Sequence, residues 1–481
     1  MRAANRLMQI EGKKVLVVGI ARSGVAAARV LVSRGAMVTA NDMKLESDMA
    51  AEVDELRRLG VMLSLGGHPE ALFLNADLIV VSPGVPATIE PLQKAARAGI
   101  KIISEVELAG LLLKGRLIGI TGSNGKTTTT TLTGELMRAA GAQVLVGGNI
   151  GTPLTSLVDK STDETWTVAE LSSFQLETID TTRVHVAVVT NITPDHLDRH
   201  GSFEDYMRAK HRIFLNQQGD DRAILNARDR GTRQMVASLG VGSKTIYFSS
   251  AVGEANEGPA ADIYMRDGRI CTTMLEGAET EVIRVSEITV PGMHNVENVM
   301  AALGAVFAAI ETRAEDLQAI REAIRRFRGV EHRIEFVAEI DGVRFYNDSK
   351  ATNVDSTVKA LESFERNVIV ILGGKDKGSD YAPLAPLVSS RVKQVVLIGA
   401  ASEKIAAGLE GLRPLVRAAS MEDAVLKSME SARSGDTVLL APACASFDMF
   451  DNYEHRGRVF KEAVFRLADR FRSGWTGRLT T

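Results

Sequence analysis

The chain has 481 residues, 45% hydrophobic and 24% charged, with a formal net charge of −3; this length exceeds one ordinary core and predicts roughly two to four domains of a globular protein. The charge balance excludes a broad basic surface for nucleic acid, no apolar run reaches the roughly 18–20 residues that span a bilayer, and the opening MRAANRLMQIEGKK lacks the apolar core of a signal peptide. A cytoplasmic protein with neither nucleic-acid nor membrane partners is expected. Cys271 and Cys444 stand far apart with no CxxC spacing, so both read as packing residues.

Residues 1–106 alternate apolar runs with helical patterns. Val15–Gly19, Met37–Ala40, Asp77–Val81 and Lys101–Ile103 predict parallel strands of a Rossmann-like α/β domain. GIARSG after the first strand keeps Gly19 and Gly24 of a GxGxxG fingerprint but has Ala21 in the middle. Asp42 ends the second strand, where an acid reads ribose, and Ser82-Pro83-Gly84 follows another strand end. A nucleotide-type ligand and a plain structural turn both fit this incomplete pattern.

Residues 107–329 open on a strand at Leu117–Ile120 and the stretch GITGSNGKTTTT, Gly119 to Thr130. Gly122 and Gly125 allow a tight turn with inward N–H groups, Lys126 supplies a point charge, and Thr127 places a hydroxyl for magnesium. The helix that follows presents its positive N-terminus to the same phosphates. The usual GxxxxGK[ST] pattern has glycine where this chain has Ile120. Glu170 ends a later strand, the position from which a carboxylate holds the magnesium ion of a P-loop domain. GGNIG, 147–151, and Asn191 end two further strands. TNITPDHLDRH gathers Asp195, His196, Asp198 and His200 on one loop, although its spacing matches no zinc pattern. Ser202 reads as the N-cap of a helix through Leu215 on which Tyr206, Lys210 and Phe214 share a face, and from pattern alone Lys210 extends its ammonium to solvent. Ser249–Asp262 has no periodicity and is expected to be a surface loop. Met293–Val306 is helical, with Asn295 and Asn298 on one face.

Residues 330–481 predict a third domain, again Rossmann-like, with strands Val343–Tyr346, Val368–Leu372, Gln394–Ile398 and Thr437–Leu440. Phe327–Arg333 before it is a candidate hinge, and Ser473–Thr481 is expected to fray. NDSKATN, 347–353, sets Asp348 for ribose hydroxyls and Lys350 and Thr352 for an anion. GGKDKG, 373–378, carries Lys375 and Lys377 for carboxylate or phosphate capture, or forms a solvated turn. APACASFDMFDNY offers Ser446 and backbone N–H groups to a carboxylate. Cys444 as a nucleophile is discounted because no histidine is tied to it.

Taken together, TGSNGKTT, ELSSFQLE, NITPDHLDRH, YMRAKHRI, HNVENV, the His332-Arg333 pair, DSKATN and ACASFD resemble the Mur ligase family, colinearly over nearly the whole chain. Ile120 in the phosphate loop is that family's own variant. The resemblance implies an ATP-dependent, ADP-forming carbon–nitrogen ligase of three domains, joining D-glutamate to UDP-N-acetylmuramoyl-L-alanine in cytoplasmic peptidoglycan precursor synthesis, acting as a monomer with two magnesium ions. It implies that Gly122, Ser123, Asn124, Gly125, Lys126, Thr127 and Thr128 bind the ATP phosphates and that Asn295, Asn298, Arg333 and Asp348 hold adenine and ribose. It also implies Thr127 and Glu170 at one magnesium ion, and His196 with a carbamylated Lys210 at the second, against the pattern reading of that lysine. Lys126, His196 and Lys210 are the implied catalytic set. Ile20, Ala21, Asp42, Ser82, Pro83, Gly84 and Asn149 would hold the UDP-sugar. Lys350, Thr352, Lys377, Ser446 and Tyr453 would hold D-glutamate, with Lys375 the alternative to Lys377. A folylpolyglutamate-type ligase and a nucleotide-binding regulatory switch are the rival readings.

Overall fold

A computed structural model describes residues 10–86, 88–250, 259–275, 279–376 and 378–473. These fall into two compact units, Met1–Glu287 with Val296–Ile324, and Ile288–Asn295 with Arg325–Thr481. Among the described residues no helix is long and apolar enough to cross a membrane. Lys377, positions 251–258 of the expected surface loop and the tail beyond Ser473 lie outside the described residues.

The first unit holds two sheets. The smaller contains β1 (Lys14–Val18), β2 (Met37–Asp42), β3 (Met62–Leu65), β4 (Leu78–Val81) and β5 (Lys101–Ser104), all parallel in the order β3-β2-β1-β4-β5. Runs such as KVLVV and LIVV are apolar throughout because helices cover both faces of a parallel sheet. The order reverses between β1 and β4, so the loops after those strands flank a crevice of the kind that receives nucleotides in doubly wound folds. β3 was not expected, since its MLSL lies at the edge and no residue in it is fully buried.

The larger sheet has nine strands. These are β6 (Arg116–Thr121), β7 (Val144–Gly148), β8 (Trp166–Glu170), β9 (Val186–Val189), β10 (Arg222–Asn226), β11 (Lys244–Ser249), β12 (Ile263–Arg266), β13 (Arg269–Thr272) and β14 (Thr280–Arg284). β6 lies between β8 and β9 in the parallel part, and β12 to β14 extend the sheet as an antiparallel meander. The meander escapes a sequence reading because it is rich in charged residues that pair across its exposed side, Arg266 with Glu279 and both Arg269 and Arg284 with Glu281.

One helix, Glu105–Leu112, leads from the small sheet to the large one and is capped by Ser104, whose Oγ accepts from Glu107 N. Two of its acids are almost fully buried. Glu105 accepts from Thr155 N and Oγ1, both at 2.7 Å. Glu107 accepts from the backbone N–H groups of Asp180, Thr181 and Thr182 and from both threonine hydroxyls, at 2.5–3.1 Å. Such a carboxylate stabilises through its donors, and removing it orphans all of them. Glu107→Ala is expected to cost about 3 kcal/mol and lower the melting temperature by several degrees in calorimetry; an unchanged transition would show that water replaces the carboxylate without loss.

The second unit is built on a six-stranded sheet of β15 (Glu335–Ile340), β16 (Val343–Asn347), β17 (Val368–Gly373), β18 (Val392–Ile398), β19 (Leu415–Ala418) and β20 (Thr437–Leu440), in the order β15-β16-β20-β17-β18-β19. Only β15 is antiparallel to its neighbour. All six residues of β17 are buried, as its central position demands. Asn353, Ser420 and Asn452 cap the helices that follow, each accepting from the third backbone N–H of its helix. The strands expected at 343–346, 368–372, 394–398 and 437–440 are all present.

Candidate active site

The phosphate loop leaves β6 at Thr121 and enters helix Lys126–Ala139 through Gly125. Gly125 has φ +81°, and a Cβ there would stand 2.2 Å from Asn298 Oδ1. Gly122 has φ +146°, and its Cβ would meet Thr190 Oγ1 at 2.0 Å. At both positions a side chain would crowd its neighbour on a backbone that L residues rarely adopt. The loop is held from outside. Thr190 Oγ1 donates to Asn124 O at 2.6 Å, and Asn191 accepts from Asn124 N at 2.9 Å while donating to Asn124 O at 3.1 Å. Tyr206 OH lies 2.9 Å from Ser123 Oγ, which also receives Thr193 N at 2.9 Å.

Two lysines converge on this loop. Lys126 Nζ donates to the Gly122 and Ser123 carbonyls, each at 2.8 Å. Lys210 Nζ donates to the same Gly122 carbonyl at 2.8 Å and to Thr121 Oγ1 at 3.3 Å. Far from reaching solvent as its helical pattern suggested, Lys210 is only 1% exposed. Its helix, Phe203–His211, is capped by Ser202 as expected but packs flat against the domain core, which turns the Tyr206–Lys210 face inward. Burial, and then the nearby Lys126 charge, hold the Lys210 ammonium well below the ordinary lysine range.

At the start of the helix Thr127 Oγ1 donates to Glu170 Oε2 at 2.7 Å, and Asn149 Nδ2 donates to Glu170 Oε1 at 3.0 Å. Glu170 is 2% exposed. A hydroxyl and a carboxylate side by side at a phosphate cradle form a hard-oxygen donor pair that fits magnesium. Asn149 is thereby tied to the Glu170 carboxylate. Asn298 lies behind the loop, 3.3 Å from Thr129 Oγ1.

His196 has φ +51° and a half-exposed ring beside Asp195 and against Phe174. His200, from the same sequence motif, is placed differently. Its Nε2 lies 3.0 Å from Ser173 Oγ and its Nδ1 3.0 Å from Glu177 Oε1, and its ring stacks on Phe174. This resembles a hydroxyl–imidazole–carboxylate triad, but Ser173 is 3% exposed and does not line the neighbouring open cleft. The histidine fixes the short helix Ser173–Leu176, and burial pushes its imidazole toward the neutral form.

At the smaller sheet, Asp42 accepts from Ile20 N and Lys44 N, both at 3.0 Å, and so joins the loops after β1 and β2. Ser82 Oγ donates to Gly19 O at 2.6 Å and joins the loop after β4. A Cβ on Gly24 would stand 1.9 Å from Gly19 O, so this glycine serves the close approach of helix and strand. Ile20, Ala21, Asp42, Ser82, Pro83 and Gly84 thus cluster at the strand ends beside the crevice.

In the second unit the loops after β16, β17 and β20 interlock. Lys375 and Ala445 exchange backbone hydrogen bonds at 2.8 and 3.2 Å, and Ala443 N donates to Ala351 O at 3.0 Å. A Cβ on Gly374, whose φ is +133°, would lie 2.2 Å from Ala445 O. Lys350 Nζ lies over the Tyr453 ring, Thr352 N donates to Lys350 O, and Ser446 is buried in the same group of loops. Asp348, buried beside Arg333 and Lys350, has its carboxyl pushed up to about 7 by that burial, while Arg333 opposes the rise. Arg333 Nε is buried without a partner, as a group awaiting a ligand would be. Asn295 Nδ2 donates to Pro291 O at 2.6 Å. The Cys444 thiol is buried and raised, with Tyr381 OH 3.0 Å from its sulfur, which suits packing and not nucleophilic attack.

Three domain families match the chain: the Mur ligase MurD-like N-terminal domain over residues 13–104, the Mur ligase middle domain over 120–306, and the Mur ligase glutamate ligase domain over 332–444. A UDP-N-acetylmuramoylalanine--D-glutamate ligase of Acidobacterium capsulatum is 50% identical over 97% of this chain and 99% of its own length. Its namesake in Koribacter versatilis is 48% identical over 96% and 99%. Among solved structures, the UDP-N-acetylmuramate-alanine ligase of Thermotoga maritima shares the fold with a TM-score of 0.56 at 20% identity, over 95% of this chain and all of its own. With every domain matched in order and half the residues shared along nearly its full length, the chain belongs to the Mur ligase family.

Proposed function

We propose that the protein is an ATP-dependent, ADP-forming ligase that joins the amino group of D-glutamate to the alanyl carboxylate of UDP-N-acetylmuramoyl-L-alanine. The near-full-length similarity to relatives named for that reaction supports this acceptor and donor. The observation that carries the chemistry is the phosphate loop, where Lys126 and Lys210 share the Gly122 carbonyl and Thr127, next to Lys126, donates to Glu170.

A carboxylate is a poor electrophile, so the alanyl carboxylate attacks the γ-phosphorus of ATP and ADP departs, leaving an acyl phosphate. The amine of D-glutamate then attacks the acyl carbon, loses a proton, and inorganic phosphate leaves with the C–O bond electrons. Residues 122–128 cradle the phosphates with backbone N–H groups, and the Lys126 ammonium offsets charge that gathers during transfer. Magnesium, when bound, neutralises the same charge. Thr127 with Glu170 would hold one ion. His196 would hold a second with Lys210, for which the lysine must first become an anion. Its depressed pKa favours the neutral amine that adds carbon dioxide, releasing a proton and leaving an N-carboxylate.

Asn295, Asn298, Arg333 and Asp348 are assigned to adenine and ribose. Asp348, partly protonated at neutral pH, can donate to as well as accept from a ribose hydroxyl. Ile20, Ala21, Asp42, Ser82–Gly84 and Asn149 are assigned to the UDP-sugar, and Asn149 also donates to Glu170. Lys350, Thr352, Ser446, Tyr453 and one of Lys375 and Lys377 are assigned to D-glutamate. The three domains are taken as residues 1–106, 107–329 and 330–481, and the enzyme as a cytoplasmic monomer.

A phosphate-release assay tests the whole reading. Turnover of ATP is expected only when UDP-N-acetylmuramoyl-L-alanine and D-glutamate are both present, and sustained turnover with either omitted would undo it.

A further inference from the structure

Arg456 is the largest fully buried side chain of the described residues, at 1% exposure, and none of its hydrogen bonds goes to a carboxylate. It lies in the first turn of helix Tyr453–Arg472 and reaches back under the strand ends. Nε donates to Ser349 Oγ at 3.0 Å, Nη2 to Ser349 O at 2.8 Å and Nη1 to Cys444 O at 3.0 Å. A Cβ on Gly374 would lie 3.2 Å from Nη1, so the loop after β17 closes over the same guanidinium. One fork thus fastens the loop of Lys350 and Thr352 to the loop of Ser446, beneath the loop of Lys375.

A buried charge normally takes an opposite charge as its partner, because desolvation is costly. Here the Cys444 side chain and Asp448 act on it only through space, and burial lowers the guanidinium to about 10, so it stays charged at neutral pH. A fixed positive charge in a low-dielectric floor raises the potential of the surface above it. A merely structural peg would do as well with neutral donors.

The geometry points to Arg456 as the positioning residue of the amino-acid site: its fork sets the three loops in register, and its charge, bonded to no carboxylate of the protein, selects an acceptor that carries two carboxylates. This rests on the assignment of those loops to D-glutamate. The guanidinium touches no substrate and acts through Ser349 and Cys444.

Steady-state kinetics of the full-length enzyme test this in Arg456→Lys and Arg456→Met, with folding followed by melting temperature. The KM for D-glutamate is expected to rise about tenfold in Arg456→Met, the equivalent of one charge-assisted hydrogen bond. In Arg456→Lys, which keeps the charge and loses the fork, it rises by an intermediate factor. The KM values for ATP and the UDP-sugar, and acyl phosphate formed without D-glutamate and trapped with hydroxylamine, stay within about twofold. Equal changes for all three substrates, or an unaltered KM for D-glutamate in folded Arg456→Lys, would overturn the inference. If Arg456→Met does not fold, Arg456→Lys alone decides. Absence of D-glutamate-dependent turnover in the parent enzyme would instead refute the proposed reaction.

Discussion

Lys210→Met is expected to yield a protein that melts higher than its parent and has lost ligase turnover by roughly two to three orders of magnitude. The stability gain follows from burial. Lys210 is 1% exposed, its ammonium is disfavoured by desolvation and by Lys126, and methionine fills the same volume without a charge. The Gly122 carbonyl keeps a donor after the change, because Lys126 Nζ bonds it at 2.8 Å. The expected gain is about 1–3 kcal/mol at neutral pH. Its pH dependence has a definite sign. With the folded pKa held well below the ordinary value, the unfolded chain binds one more proton throughout the window between the two. Parental stability therefore rises with pH toward about 10.4, and the advantage of Lys210→Met shrinks over the same range. Thermal melts of both proteins across that range check it, and a parallel pair of curves would refute a buried neutral lysine. The carbamate assignment is tested separately by Lys210→Ala, which is expected to be inactive and to regain part of its turnover in acetate. Full activity without acetate would remove Lys210 from the catalytic set.

Lys126→Ala is expected to lose about three orders of magnitude in turnover while melting within a few degrees of the parent. The side chain is half-buried, and both carbonyls it bonds lie in its own loop. Gly122 O retains Lys210. The loss falls on the first chemical step, so acyl phosphate trapped as hydroxamate in a single turnover disappears together with ADP formation. Trapped acyl phosphate at the parental level would move the role of Lys126 to a later step. Because the two lysines share one carbonyl, the double variant with Lys210→Met leaves it without either donor, and its stability is expected to fall below the sum of the single effects.

Much of this centre was legible in the chain. The strand, the paired glycines and Lys126-Thr127 specify a phosphate loop because glycine fits best where Thr190 and Asn298 press on the backbone. Glu170 was legible for a similar reason: a strand buried along its length ends in an acid beside that loop. Lys210 was not. A period of four places it on a face with Tyr206 and Phe214, but periodicity says nothing of what covers that face, and what covers it is the phosphate loop. Arg456 left no trace in YEHRGRVF, a helix start full of charges, because its partners are backbone carbonyls and one serine distant in sequence. The strands β14 and β15, TEVIR and EFVAEI, lie at sheet edges and mix charged with apolar residues without a clean alternation, so they read equally well as loops. By spacing alone His196 and His200 looked alike in one motif; across the short helix 197–200 one ring is half-exposed and the other lies on Ser173.

The buried acids of helix Glu105–Leu112 set a rule for building hybrids of this chain. The N-terminal family match ends at residue 104 and the middle match begins at 120, so the natural crossover between parents falls within this helix. A hybrid joined there would set the glutamates of one parent against the 155 and 180–182 positions of another. Five donors converge on Glu107 alone, so a mismatch there would strand several polar groups at once. The unit to exchange is therefore the small sheet together with its connecting helix and the two threonine-rich segments that receive it. Recombination that respects this lock keeps a folded joint, whatever ligand specificity the sheet brings with it.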